Sequence, residues 1–167
     1  MSAEPDPGFL GNTTPEQDAA RKELAERLSA VLQAPGGQVF LEKFGGLEVA
    51  MLRMLRARKF DVSAAVTLVE EILVYRREHV LDPVLQRIIG DQALQDPSNP
   101  SWKPEITDES ILRVLPHLPC GRHGFTRVGQ PIEIWRISKL RPADLLKVDS
   151  EDLWNWWHFH LESGIKA

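Results

Sequence analysis

Apolar residues recur with a helical period in the first part of the chain. Three leucines are spaced four residues apart: Leu24, Leu28 and Leu32. This spacing predicts an amphipathic helix. The helix is predicted to begin at Thr14, because Thr14-Pro15-Glu16-Gln17 combines a capping side chain, a proline at the first helical position and a glutamine three residues after the cap. Pro35-Gly36-Gly37 ends the pattern, and a short connection is expected over residues 40–46.

Two more amphipathic helices are predicted to follow. One runs from about Leu47 to Lys59, and Asp61 then caps the next, which reaches about His79. One narrow arc of this third helix holds a mostly apolar set of residues: Val62, Ala65, Val66, Val69, Ile72, Leu73 and Arg76. Because short links favour packing between neighbouring helices, we expect a helical bundle.

The second half of the chain has shorter elements. Helical pieces are predicted over residues 82–90, from a cap at Thr107 to Leu115, and from Pro142 to Leu146. The runs DPSNPSWKPEIT and CGRHGFTRVGQ are expected to be loops. The run PIEIWRIS alternates in polarity and is the one strand that the pattern predicts. A lone strand leaves its backbone hydrogen-bonding groups without partners, which a folded monomer does not tolerate when they are buried.

A final helix, capped by Asp149 or Ser150, is apolar nearly all round. Leu153, Trp157, His160 and Leu161 form one apolar arc, which Trp154 and Trp156 widen. Phe159 falls on the opposite side. Such a helix is normally buried on several sides, and the chain upstream supplies little to cover it. We therefore expect an exposed aromatic surface made by three tryptophans: Trp154, Trp156 and Trp157.

Composition and charge narrow the classes of function. The 167 residues carry 20 Lys and Arg against 24 Asp and Glu, a net charge of −4, so no nucleic-acid partner is expected. A single cysteine, Cys120, excludes an internal disulfide framework. The N-terminus lacks the pattern of a signal peptide. A cytoplasmic location, with peripheral contact to membranes, is expected.

The run MLRMLRARKFD concentrates four cations on the second helix. Arg58 falls within the buried arc of that helix and is predicted to be a structural arginine, with Glu70 and Glu71 as candidate partners. The other three cations share a different side: Arg53, Arg56 and Lys59. Two interpretations stay open for them. They form either a solvated face with intramolecular pairs or a patch that meets lipid phosphates or an anionic membrane.

No motif in the chain indicates catalysis, a metal site or a cofactor. His117, Cys120 and His123 lie in an ordinary loop sequence and lack a fourth ligand for zinc. His158 and His160 diverge on a helix, and His160 is expected to be a core histidine with a satisfied hydrogen bond. There is no nucleophile or phosphate-loop signature. We therefore predict that the protein is not an enzyme.

Two segments resemble the CRAL-TRIO (Sec14-like) family. The run LRMLRARKFDVSAAVTLVEEILVYRRE is similar to the N-terminal helical region of that family, and GRHGFTRVGQPIEIWRISKLRPADLLKVDSEDL is similar to the start of its lipid-binding domain. The resemblance implies a mainly α fold, in which an N-terminal bundle precedes the first strand and helices of an incomplete α/β lipid-binding domain. Residues 1–13, which are rich in proline, glycine and acidic residues, are predicted to be a disordered lead-in. The predicted domains are a helical domain at 14–100 and a truncated lipid-binding domain at 101–167.

The resemblance also implies a function. Members of the family bind one hydrophobic molecule and many move it between membranes, so the expected activity is binding and transfer of a phospholipid such as phosphatidylinositol by a longer parent protein. The expected partners are this lipid and, transiently, an anionic membrane surface. The alternative is a helical interaction module or non-transferring short form, whose C-terminal aromatic helix docks a partner protein or a second copy.

Overall fold

The computed structural model describes residues 8–93, 104–126 and 131–166. The fold is mainly α, as predicted. The described helices are α1 Pro15–Arg27, α2 Ser29–Gln33, α3 Pro35–Lys43, α4 Leu47–Ala57, α5 Val62–Glu78, α6 Val84–Ile89, α7 Glu109–Val114, α8 Pro142–Leu145 and α9 Ser150–Lys166, and the strands are β1 Cys120–Phe125 and β2 Pro131–Trp135. The chain divides into two compact units, Met1–Asp82 and Pro83–Ala167, hereafter unit 1 and unit 2.

The beginning of unit 1 follows the predicted pattern closely. The Thr14 hydroxyl accepts a hydrogen bond from the Gln17 backbone N–H at 3.3 Å, and the Gln17 side chain accepts from the Thr14 backbone N–H at 3.0 Å. This reciprocal cap starts α1 where it was expected. The three leucines of the predicted stripe are all buried, although the helical path is divided at Leu28 between α1 and α2.

The predicted connection over residues 40–46 is mostly helical instead. Pro35 ends α2 and also begins α3, because a proline is well suited to the first position of a helix. Gly37 permits this arrangement, since a Cβ atom there would lie 2.4 Å from the backbone oxygen of Val31. Phe40 is thereby buried completely. The sequence pattern correctly predicted that the helix ends near Pro35, but it did not predict α3.

The core of unit 1 is apolar. Asp61 caps α5 by accepting a hydrogen bond from the Ala64 backbone N–H at 2.9 Å, as predicted. The predicted arc of α5 then faces the other helices. The buried residues of this core are Leu24, Leu28, Leu32, Phe40, Ala50, Met51, Met54, Leu55, Ala65 and Val69. Helices α1, α4 and α5 pack on one another through them.

The predicted burial of Arg58 is wrong. Helix α4 ends at Ala57, so Arg58 leaves the arc that its spacing assigned to it, and its exposed guanidinium donates to the backbone oxygen of Ala57 at 3.3 Å. A buried arginine is present nevertheless, at Arg76, which donates to Asp82 through two nitrogens at 3.0 and 2.8 Å. The ion pair satisfies a cation that would otherwise be costly to bury.

Unit 2 is organised around α6, α7 and α9. Its buried apolar residues are Val84, Leu85, Ile88, Ile89, Ile111, Val114, Leu118 and Trp156. The cap of α7 is Asp108, not the predicted Thr107: an oxygen of its carboxylate accepts from the backbone N–H groups of Ser110 and Ile111 at 3.0 and 3.3 Å. Carboxylate caps satisfy helix-terminal donors in the same way as hydroxyl caps.

The prediction of a lone strand is also wrong. Strand β1, within a segment expected to be a loop, pairs antiparallel with β2. Cys120 lies opposite Trp135, Gly121 opposite Ile134 and Arg122 opposite Glu133. The pairing gives the backbone groups of each strand hydrogen-bonding partners on one edge. A register shift between Arg122 and Phe125 interrupts the alternation of polar and apolar side chains, which is why the sequence pattern did not predict β1 as a strand.

Two predicted boundaries lie wholly or partly outside the described residues. The boundary between residues 100 and 101 falls within the gap at residues 94–103, and the predicted division there stays a prediction. Of the predicted disordered lead-in, residues 1–7 lie outside the description, whereas residues 8–12 form a turn closed by backbone hydrogen bonds.

Candidate functional site

The cations of α4 are the first candidate for ligand contact. Arg53 and Arg56 are three residues apart and therefore lie on one side of the helix. The Arg53 guanidinium is 5.0 Å from the centre of the Phe44 ring. Lys59 is exposed, just beyond the end of the helix, with a positive φ of 52°. Cations near the last turn also stabilise the helix dipole, so their presence alone does not indicate a ligand.

Arg56 is engaged within the protein. Its guanidinium donates to the backbone oxygen of Gly8 at 2.8 Å and lies 3.8 Å from the centre of the Phe9 ring. The pKa of Arg56 is lowered, first by burial and then by the positive charge of Arg53. The two arginines are thus close enough to interact, but one of them is partly covered. Whether the three predicted cations act as a patch stays a prediction.

The aromatic surface of α9 differs from the predicted one. Trp154 and Trp157 are exposed to 56% and 42%, as expected, but Trp156 is only 3% exposed and belongs to the core of unit 2. Leu161 is 45% exposed, so the large apolar side chains that are exposed among the described ones of α9 are Trp154, Trp157 and Leu161. We call these three residues the α9 stripe.

The apolar arc of α9 does not coincide with its buried side, because the helix buries polar residues while Trp157 and Leu161 of the arc are exposed. Asp152, Glu162 and Ser163 are all buried, and hydrophobicity alone would have placed them outside. Asp152 receives two hydrogen bonds from Arg113 of α7, at 2.6 and 2.9 Å. This fork-shaped pair turns Asp152 inward and Trp156 with it, since residues four apart share a side of a helix. Phe159, predicted to face away, packs against the same core.

Sequence reasoning missed a polar cluster that joins the hairpin to α9. Arg122 of β1 donates to the hydroxyl of Ser163 and to the backbone oxygen of His160. Glu133 of β2 lies 2.9 Å from Nε2 of His160 and 3.8 Å from the Arg122 guanidinium. The cross-strand pairing of Arg122 with Glu133 would have revealed half of this cluster, had β1 been recognised.

Burial controls the protonation of this cluster. The pKa of His160 is lowered, first by burial, while the carboxylate of Glu133 opposes the shift and Arg122 adds to it. The pKa of Arg122 is also lowered by its burial. His160 is stacked on Trp156, with ring centres 4.7 Å apart. It is therefore a neutral, hydrogen-bonded histidine near pH 7, whose role in the structure is to join the hairpin to α9.

The opposite face of the hairpin is apolar and exposed. Arg122 and Glu133 point toward α9, so the alternation of β2 places Ile132 and Ile134 on the other face. Their exposed fractions are 38% and 46%. Unit 2 thus presents two apolar surfaces among its described residues, the hairpin face and the α9 stripe.

Neither a membrane span nor a metal cluster is found in the described part of the chain. No described helix has the length and apolar character needed to cross a bilayer. Within residues 8–93, 104–126 and 131–166, no three His, Cys, Asp or Glu side chains are grouped as metal ligands.

Comparison with known proteins identifies the family. The chain is 32% identical over 117 residues to Phosphatidylinositol/phosphatidylcholine transfer protein SFH9 of Arabidopsis thaliana, which covers 70% of this chain and 17% of the relative. It is 29% identical over 108 residues to SFH7 of the same plant, covering 65% of this chain and 16% of the relative. Protein real-time of Drosophila pseudoobscura pseudoobscura is 28% identical over 138 residues, which are 83% of this chain and 16% of that protein.

These relatives confirm the resemblance noted in the sequence. No family model matches the chain, so the assignment depends on the curated relatives. This chain belongs to the CRAL-TRIO (Sec14-like) family, on the strength of the 32% identity over 70% of its length. The chain spans about one sixth of the length of the relatives that it matches.

Proposed function

We propose that this chain is part of a Sec14-like protein that binds a phospholipid, such as phosphatidylinositol or phosphatidylcholine, and moves it between membranes. The observation that carries the proposal is the 32% identity, over 70% of the chain, to a protein named for the transfer of these two lipids. The proposed activity is binding without bond chemistry, in a cytoplasmic protein that meets membranes peripherally. Burying acyl chains would hold the lipid by roughly 0.8 kcal/mol per methylene.

The exposed apolar surfaces of unit 2 support this proposal. A hydrophobic ligand requires apolar side chains that are not already used by the protein core, and the hairpin face offers two of them at Ile132 and Ile134. The α9 stripe offers three more. A charge placed on either surface should therefore reduce lipid uptake more than it reduces stability, because neither surface is buried.

Lipid uptake by the purified chain tests the proposal. The chain would be incubated with vesicles of phosphatidylcholine and phosphatidylinositol, re-isolated and examined by native mass spectrometry. A stoichiometric lipid, lost in Ile134→Asp but retained in the matched variant Ile137→Asp, is the expected result. Ile137 is 67% exposed and lies after β2, outside the paired strands. A folded chain that takes up neither lipid would contradict binding by this part of the protein.

We further propose that Arg53, Arg56 and Lys59 assist the encounter with an anionic membrane. Each cation near such a surface contributes about 1 kcal/mol of attraction. Reversing these three charges should weaken binding to vesicles of phosphatidylcholine and phosphatidylserine, while far-UV circular dichroism stays unchanged. Arg58→Glu is the matched control, since Arg58 is an exposed cation of the same segment that lies outside the proposed patch. Equal binding by the reversed variant would contradict the patch.

A second candidate function is a helical interaction module. The observation that favours it is the α9 stripe, whose aromatic side chains are typical anchors of protein interfaces. Trp156 is excluded from this surface by its burial. If the stripe docks a second copy of the chain, Trp157→Ser should lower the mass measured by sedimentation, whereas an unchanged monomer would contradict self-association.

A further inference from the structure

The described chain begins with a short turn that is closed by backbone hydrogen bonds. This turn comprises residues 8–12 and is called the N-terminal turn. The backbone N–H of Gly8 donates to the Asn12 oxygen at 2.7 Å, and that of Asn12 donates to the Phe9 oxygen at 2.9 Å. Gly8 has a φ of +89°, and a Cβ atom there would lie 2.9 Å from the Phe60 ring. The turn therefore requires glycine at this position.

The N-terminal turn lies on the same arginine that belongs to the candidate patch. It occupies Arg56 in two ways, through the Gly8 carbonyl at 2.8 Å and through the Phe9 ring at 3.8 Å. The covering is partial, because Arg56 is part-buried and not fully buried. Arg53, on the same side of α4, has its guanidinium over Phe44 and is exposed. Arg53 is therefore exposed, whereas Arg56 is partly covered by the N-terminal turn.

We propose that the N-terminal turn masks Arg56 and thereby restrains the attachment of the α4 cations to phosphate groups at a membrane surface. This regulation rests on the membrane contact proposed above for Arg53, Arg56 and Lys59. A phosphate forms two parallel hydrogen bonds with a guanidinium, which a single backbone carbonyl does not. A membrane phosphate therefore competes with the turn for Arg56, and opening the turn strengthens attachment.

Binding to anionic vesicles tests the masking. Vesicles of phosphatidylcholine mixed with phosphatidylserine would be titrated with the full chain and with two altered chains. Phe9→Ser removes the ring over Arg56, and deletion of residues 1–12 removes the turn outright while leaving the Thr14 cap. Because the deletion frees one cation, the shortened chain is expected to bind about fivefold more tightly. Phe9→Ser should give a smaller gain, since the Gly8 carbonyl can still accept from Arg56. Hydrogen exchange at the Asn12 amide reports opening of the turn in Phe9→Ser.

Two controls connect the gain to Arg56. Leu10→Ser removes an exposed apolar side chain from the same turn, since Leu10 is 56% exposed, and should bind like the unaltered chain. Arg56→Gln in the shortened chain should abolish the gain, whereas a gain caused merely by the loss of the acidic residues before Gly8 would persist. Far-UV circular dichroism verifies that each variant is folded.

The vesicle-binding results distinguish failure of the masking of Arg56 from failure of the membrane contact proposed for the α4 cations. If the shortened chain binds no more tightly than the full chain, or if its gain survives Arg56→Gln, masking is overturned. Charge reversal of Arg53, Arg56 and Lys59 in the full chain then decides the rest. If the reversed variant binds more weakly, the three cations contact the membrane but the N-terminal turn does not restrain them. If its binding is unchanged, both the membrane contact and the masking are overturned.

Discussion

The two units of the protein are stabilised in different ways. Unit 1 has an apolar core whose positions follow from helical spacing, and its buried Arg76 is paired with Asp82. Unit 2 buries several polar side chains of α9 and leaves apolar ones exposed. Its arrangement depends on specific pairs such as Arg113 with Asp152. An apolar sequence pattern therefore locates the core of unit 1 well. It fails for α9, because this helix buries polar side chains that have specific partners.

The largest expected effect comes from the apolar core of unit 1. Phe40 is completely buried, so Phe40→Ala removes a large side chain and leaves a cavity. We expect a loss of about 3–5 kcal/mol in the free energy of unfolding, measured by urea denaturation and followed by far-UV circular dichroism. Val31→Ala, at a position that is 36% exposed, is the control. Similar losses for the two variants would mean that Phe40 is not central to the core.

A smaller effect is expected where the hairpin meets α9 in unit 2. A Cβ atom on Gly164 would lie 2.6 Å from a guanidinium nitrogen of Arg122, so Gly164→Ala should displace Arg122 from Ser163 and His160. Arg122 can shift because it is flexible, so the expected cost is that of its lost hydrogen bonds, about 1–3 kcal/mol. The higher helix propensity of alanine at this position of α9 offsets up to about 1 kcal/mol of that cost. Tryptophan emission is the natural measurement, because all five tryptophans of the sequence belong to unit 2.

Gly121→Ala provides the matched control for this substitution. Gly121 is in the same hairpin, but a Cβ atom there would have no neighbour within 4 Å. If Gly121→Ala destabilised the protein as much as Gly164→Ala, the contact between Arg122 and α9 would not be the cause. Unit 2 would then not depend on this hydrogen-bonded contact for its stability.

The smallest expected effect is the pH dependence that His160 gives to the stability of unit 2. Because the pKa of His160 is lowered from 6.5 in the folded protein, the unfolded state takes up this proton first as the pH falls. Stability should therefore decline as the pH drops below about 6.5, until the folded histidine is also protonated. Glu133 opposes this effect and Arg122 increases it.

Urea denaturation at several pH values, followed by tryptophan emission, measures this dependence. His160→Gln keeps a side-chain donor for Glu133 but does not titrate, so the decline between about pH 7 and pH 5 should become shallower. An identical decline in the variant would assign the effect to other groups. Asp108 and Asp152, whose pKa values are lowered in the folded state, should lose their contributions only in more acidic solution.

Local sequence signals were sufficient for the beginnings of several helices. The cap at Thr14 and the cap at Asp61 depend on a few neighbouring residues, and both are found where they were predicted. Of the three tryptophans predicted to form an exposed surface on α9, Trp154 and Trp157 are exposed and Trp156 is buried. Helical spacing gives the relative directions of these side chains but not which direction faces the core.

The sequence by itself determined the helical character of the chain, the apolar core of unit 1 and the family to which the chain belongs. These features follow from local capping, from spacing along single helices and from matching segments. Only the tertiary structure decided that β1 is a strand, that Arg76 rather than Arg58 is buried, and that the N-terminal turn covers Arg56. Each of these depends on atoms brought together from distant positions, and a polar side chain is buried only when such a partner satisfies it.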